Sequence, residues 1–118
     1  MDERLRPLQR IRKKKDFIAI YRAGSRYRGR FFHLVYRDNP DAVSRMAVVV
    51  SRKVGNAVRR NRIKRRIRAL FRKNKSLFKR PVDVILIARK EILDLSWPEL
   101  AAEYLSAINW IFQEQSVS

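Results

Sequence analysis

"KVGNAVRRNRIKRRIRALFR", residues 53–72, holds seven Arg and two Lys but no acidic residue, and its reading decides how the rest of the chain is placed. Ile63, Ile67, Leu70 and Phe71 fall at i, i+4, i+7 and i+8, an apolar stripe wide enough for a helix to lie on a sheet. With Gly55 as punctuation before it, the spacing predicts a helix over 57–73. Lys53, Arg59, Arg60, Arg62, Lys64, Arg65, Arg66 and Arg68 surround that stripe. A merely solvated helix face would interleave Glu with Lys, yet no acid occurs between Asp41 and Asp83. The segment reads as a buried helix that also grips a polyanion. Arginine predominates, and its planar fork can hold a phosphate with two hydrogen bonds where lysine offers a point charge. Asn61, between Arg60 and Arg62, adds a side chain that both donates and accepts.

The composition agrees. With 118 residues and 46% hydrophobic content, the expectation is one domain, 1–118, with one modest core. The balance of 29 Lys and Arg against 11 Asp and Glu gives a formal charge of +18, which a compact body carries more easily beside a polyanion such as a phosphate backbone. Residues 91–118 hold five acids and no base, so that end avoids the polyanion. The absence of cysteine excludes a disulfide framework and a thiolate metal site and suits a reducing, cytoplasmic setting. "FIAIY" is far shorter than a signal-peptide core, and no run approaches the roughly 18 apolar residues of a membrane span. A soluble protein with no membrane partner is expected.

Outward from the basic helix, "PVDVILIARK" reads as a strand apolar on both faces, hence central in a sheet. "RMAVVVS", ending at Ser51, reads as a short buried strand. Residues 26–37 read as another strand, with Phe32, Leu34 and Tyr36 alternating with Phe31, His33 and Val35 and with a bend or bulge at Gly29. The turn-forming "DNPDAVS" between the last two predicts a hairpin. "KDFIAIYRAG" places Phe17, Ile20 and Tyr21 at i, i+3 and i+4, with Asp16 near the start and Gly24 past the end, a short helix. Ser96 and Glu99 form a capping-box pattern with Pro98 in the first turn. The helix behind them carries Ala101, Tyr104, Leu105, Ile108, Ile111 and Phe112 on one side. Residues 1–12 read as a basic arm that orders on a partner. The order of elements predicts an α+β fold, a mixed sheet with helices packed on it.

Catalytic chemistry is hard to find. His33 is the single histidine, which rules out the usual zinc-ligand spacings. Asp38, Asp41, Asp83, Glu91 and Asp94 are scattered, and Gly24, Gly29 and Gly55 form no phosphate-cradling motif. Phe17 and Tyr21, one helical turn apart, can either stack an unpaired nucleotide or belong to the core, and periodicity alone favours the core. Trp97 and Trp110 read as packing residues.

"SRKVGNAVRRNRIKRRIRALFR", preceded by "MAVVV" and followed by "DVILIARK", resembles the signature of the bacterial ribonuclease P protein subunit. The resemblance runs from about Lys14 to the final helix. It implies an α/β sandwich: a mixed four-stranded sheet packed with about three helices in the ribosomal protein S5 domain 2-like arrangement. Its βαβ crossover would be left-handed, where generic reasoning chooses the right-handed form adopted in about 98% of cases. It also implies a nuclease whose catalyst is an RNA subunit. That RNA, with magnesium held mainly by it and by the substrate, removes the 5′ leader from precursor tRNA. The protein, a monomer paired one to one with the RNA, would assist substrate binding. By the same resemblance Arg59, Arg60, Asn61, Arg62, Lys64, Arg65 and Arg68, with Lys53 and Asn56, would face the catalytic RNA. Phe17, Tyr21, Tyr36 and Lys90 would line a cleft for the single-stranded leader, although the family's cleft tyrosine has no unambiguous counterpart in "FFHLVYR". Two other readings share the charge and size: a small ribosomal protein, and a self-sufficient basic nuclease.

Overall fold

The strand Val82–Ala88 is apolar on both faces and sits between two neighbours, as its pattern predicts. The computed structural model describes residues 9–41 and 43–116. In chain order they form α1 (Lys14–Ala23), β1 (Ser25–Arg28), β2 (Phe32–Asp38), β3 (Arg45–Val49), α2 (Ala57–Lys73), β4 (Val82–Ala88) and α3 (Trp97–Ser116), with short 3-10 turns at Lys75–Leu77 and Lys90–Asp94. The mixed four-stranded sheet has the order β1-β2-β4-β3, antiparallel except where β3 runs parallel to β4. Helix α2 is therefore the crossover between two adjacent parallel strands.

Strand alternation assigns two layers. Leu34, Tyr36, Val48, Val84 and Leu86 face α2 and α3, meeting Ile63, Ile67, Leu70 and Phe71 of the first and Tyr104, Ile108 and Ile111 of the second. Val35 and Ile85 turn the other way and bury against Ile20 of α1, flanked by Phe17, Ala47, Val49 and Ile87. Val58 lies off the α2 stripe and is exposed. Local chemistry sets the helix ends. The Asn56 side chain accepts from the Arg59 N–H at 2.9 Å, an N-cap. At α3 the Glu99 carboxylate accepts from Ser96 N–H at 2.9 Å while the Ser96 hydroxyl accepts from Glu99 N–H at 3.3 Å, the reciprocal pair the sequence predicts. Gly24 ends α1 because of close approach: a Cβ there would lie 2.7 Å from the Ile20 carbonyl oxygen and 2.9 Å from that of Tyr36.

Two expectations are corrected. Residues 26–37 are not one strand; Gly29 lies in a turn and β1 folds back on β2 with Arg26 opposite Val35. Nor do β2 and β3 form a hairpin, because β4 lies between them. A strand apolar on both faces gains most from the central slot, so the chain from β2 passes across its end before β3 begins. That passage is anchored: Asn39 N–H donates to Pro81 O at 3.0 Å, and Asn39 Nδ2 donates to Asp83 Oδ1 at 2.7 Å and to Val43 O at 2.9 Å. Of the expected arm, residues 1–8 lie outside the described residues. Its inner end is docked, with Gln9 buried and Ile11 N–H donating to Met46 O at 3.2 Å.

Asp83 has no exposed surface, and Arg45 holds it through Nε at 2.9 Å and Nη2 at 2.8 Å. Arg37 Nε lies 3.6 Å away. Removing one partner of such a pair leaves charges buried without compensation, at a cost of about 3 kcal/mol or more. Asp83→Ala should lower the urea-unfolding free energy by about 3 kcal/mol. A paired replacement, Asp83→Leu with Arg45→Leu, should recover much of that loss.

Candidate nucleic-acid interface

Because the α2 stripe is buried, the helix presents its cations along two flanks. Arg60, Lys64 and Arg68 follow i, i+4, i+8 beside one margin of the stripe, and Arg59, Arg62 and Arg66 follow i, i+3, i+7 beside the other. Asn61 and Arg65 lie outermost between them, exposed, and Lys53 is exposed in the turn before the helix. Among the described residues the ion pairs are Arg37 and Arg45 with Asp83, Arg45 with Asp16, Arg80 with Asp38 and Arg89 with Glu91. None involves α2, whose first turn also lacks an acid, so the positive end of the helix dipole adds to the field. Arg60 Nη1 donates to Gly55 O at 2.8 Å, tying that guanidinium to the loop before the helix. Burial, and secondarily the nearby Arg10 cation, lower the Arg68 pKa. Arg10 Nε is itself buried with no partner among the described residues. Two guanidiniums crowded in this way favour an arriving anion.

The opposite face of the sheet carries a second constellation. Arg28, His33, Ile87 and Val49 stand in one cross-strand row, and Arg26, Val35, Ile85 and Ala47 in the next. Helix α1 covers the second row through Ile20 and leaves the first open. Tyr21, Arg26, Arg28, His33 and Ile87 border a hollow of about 230 Å³. The Phe17 and Tyr21 rings are stacked at 6.3 Å with 9° between their planes. The Arg26 guanidinium lies 4.7 Å from the Tyr21 ring centroid, and its Nη2 donates to Tyr21 O at 2.7 Å. Tyr21 is 44% exposed, an open ring beside cations, the arrangement on which an unpaired base stacks while its phosphates are neutralised. At the floor, burial first and then Arg89, Arg28 and Arg26 hold the His33 pKa below 6.5.

Of the leader residues expected from sequence, Phe17 and Tyr21 come together, and Lys90 is exposed just beyond the end of the sheet that bears His33 and Ile87. Tyr36 is a correction. It is 1% exposed and packs in the core beneath α2 and α3, because even-numbered β2 residues face that layer while His33, Val35 and Arg37 face α1. The structure adds Arg26, Arg28, His33 and Ile87 to the lining of this hollow. Dividing 26–37 at Gly29 would have exposed the alternation of Arg26 and Arg28 about Tyr27. Among the described residues no three His, Asp or Glu side chains converge to hold a metal ion.

Residues 5–111 match the family model described as Ribonuclease P. The chain is 44% identical over 94 residues to the ribonuclease P protein component of Desulfatibacillum aliphaticivorans, covering 80% of each. It is 36% identical over 92 residues to that of Thermotoga maritima, covering 78% of this chain and 79% of the relative. Among solved structures, the RNase P protein of T. maritima aligns with a TM-score of 0.78 at 32% identity, covering 85% of this chain and 94% of that one. The Staphylococcus aureus RNase P protein aligns at 0.74 and 33%, covering 92% and 96%.

His33 supplies a pH test of the cleft floor. A histidine whose folded pKa is depressed contributes stability that is present above its unfolded value of 6.5 and lost as pH falls through the folded value. An NMR titration of the imidazole should give a midpoint below 6.5. His33→Phe should flatten the acid-side decline in stability.

Proposed function

The chain belongs to the Ribonuclease P protein family, and on that premise we propose that it binds the catalytic RNA through α2 and the single-stranded 5′ leader of precursor tRNA through the cleft between α1 and the sheet. The observation that carries this reading is the separation of the two surfaces. A helix whose cations have no ion pair among the described residues packs on one face of the sheet, and a stacked aromatic pair beside arginines lies on the other. Lys53, Asn56, Arg59, Arg60, Asn61, Arg62, Lys64, Arg65 and Arg68 would contact the RNA subunit, with Asn56 also capping the helix. Phe17, Tyr21 and Lys90, joined by Arg26, Arg28 and His33, would guide the leader.

Bond breaking in this reading belongs to the RNA, with magnesium held by the RNA and the substrate. The protein's share is electrostatic and positional. It neutralises phosphates where two RNAs meet, and it stacks a leader nucleotide so that the cleavage site is presented in one register. A net charge of +18 opposes self-association and favours one protein copy per RNA. No helix among the described residues is long and apolar enough to cross a membrane, which agrees with action in the cytoplasm on soluble RNA.

The deciding experiment incubates the pure protein with precursor tRNA and magnesium, with and without a ribonuclease P RNA. Cleavage should require the RNA, and trimming by protein alone at an enzymatic rate would overturn the assignment. Tyr21→Ala should raise the dissociation constant for leader-bearing substrate about tenfold, since stacking is worth ~1–3 kcal/mol per base, and leave leaderless tRNA unaffected. Arg65→Ala should weaken assembly with the RNA subunit and reduce the slope of log affinity against log salt by roughly 0.7 to 0.9, the contribution of one phosphate.

A further inference from the structure

A groove of about 300 Å³ runs between α2 and residues 92–100, on the flank of α2 away from Arg68 and Arg10. Its floor is apolar: Ile63, Ile92 and Leu100 are 7%, 3% and 4% exposed, and Leu93 stands at the rim at 37%. Its other rim is cationic, formed by Arg59, Arg62 and Arg66. The Arg66 guanidinium also lies 5.6 Å over the Trp97 ring, which fixes that end of the rim against the start of α3. None of the three arginines has an ion pair among the described residues.

We propose that this groove holds one unpaired nucleobase of RNA, its flanking phosphates on Arg59, Arg62 and Arg66 and its ring on the floor near Leu93. The proposal rests on the reading that α2 binds the catalytic RNA and adds to it a site that takes a base as well as phosphates. A duplex stacks its bases inside and presents phosphate and sugar, so it would satisfy the arginines and leave the apolar floor wet. An extruded base matches both halves of the groove, because its faces are apolar and its own backbone carries the charge. A second copy of this chain is a poor occupant, since a two-fold contact would set one rim of three guanidiniums near another. The floor offers no polar side chain to read a base edge, so the site accepts any base.

Trp97 reports on the groove; Trp110→Phe makes it the sole tryptophan of the chain, which has two, and Tyr21→Ala in the same protein removes base stacking in the leader cleft. This protein is titrated with a single-stranded RNA hexamer and with a hexamer of abasic ribose phosphates. The base-bearing hexamer should shift Trp97 emission and bind about fivefold tighter than the abasic one. Leu93→Gln, a rim substitution, should abolish that difference and leave abasic binding unchanged. Equal affinity of the two hexamers, a silent Trp97, or a difference that survives Leu93→Gln would overturn the proposal. So would a hexaglutamate peptide that shifts Trp97 as strongly. Each of these outcomes leaves the RNA-dependent cleavage assay to be judged separately.

Discussion

Asp83 ties β4 to β2, to β3 and to the passage between them. It stands on one rung of the sheet, opposite Arg37 of β2 and Arg45 of β3, and it is bonded to the Asn39 side chain in the passage over the end of β4. Arg45 extends the network by contacting Asp16 of α1 at 3.3 Å. A one-residue slip of either neighbouring strand would turn its partner arginine to the other face of the sheet, so the network specifies register as well as stability. It also fixes where α1 lies on the sheet, and hence which row of that face stays open beside Tyr21.

Among the described residues the ion-paired acids are Asp83, Asp16, Asp38 and Glu91, and none of them pairs with α2. Arg37, Arg45, Arg80 and Arg89 take partners, while the cations of α2 have no ion pair among the described residues and Arg68 lies near Arg10. Such an arrangement costs the isolated protein stability through self-repulsion and returns it on contact with a polyanion. The division of the sheet into two faces then separates the roles proposed for them. One layer supports a rigid cationic helix with an apolar groove along its flank, and the other keeps a stacked ring pair half open to solvent.

Much of this was legible along the chain because it depends on near neighbours. The stripe from Ile63 to Phe71 located α2 to the residue, Ser96 and Glu99 announced the start of α3, and the double apolar face of 82–88 placed that strand in the centre. The absence of acids between Asp41 and Asp83 marked α2 as the segment with the most concentrated positive charge. These are matters of spacing and composition, and a sequence displays both.

Partnership between distant segments was decided only by the folded chain. Strand β4 competes for the slot beside β2 and wins it because both its faces can be buried there, which turned the expected hairpin at 38–44 into a passage pinned to Asp83. The division at Gly29 created β1, and β1 brought Arg26 and Arg28 beside His33. Whether Tyr36 or His33 lined the cleft was a question of which way each β2 residue turned, and a period of two has no sign until the sheet has chosen its layers. The sequence determined what each element was made of, and the tertiary structure determined which faces met, because burial is a property of pairs of surfaces that lie far apart along the chain.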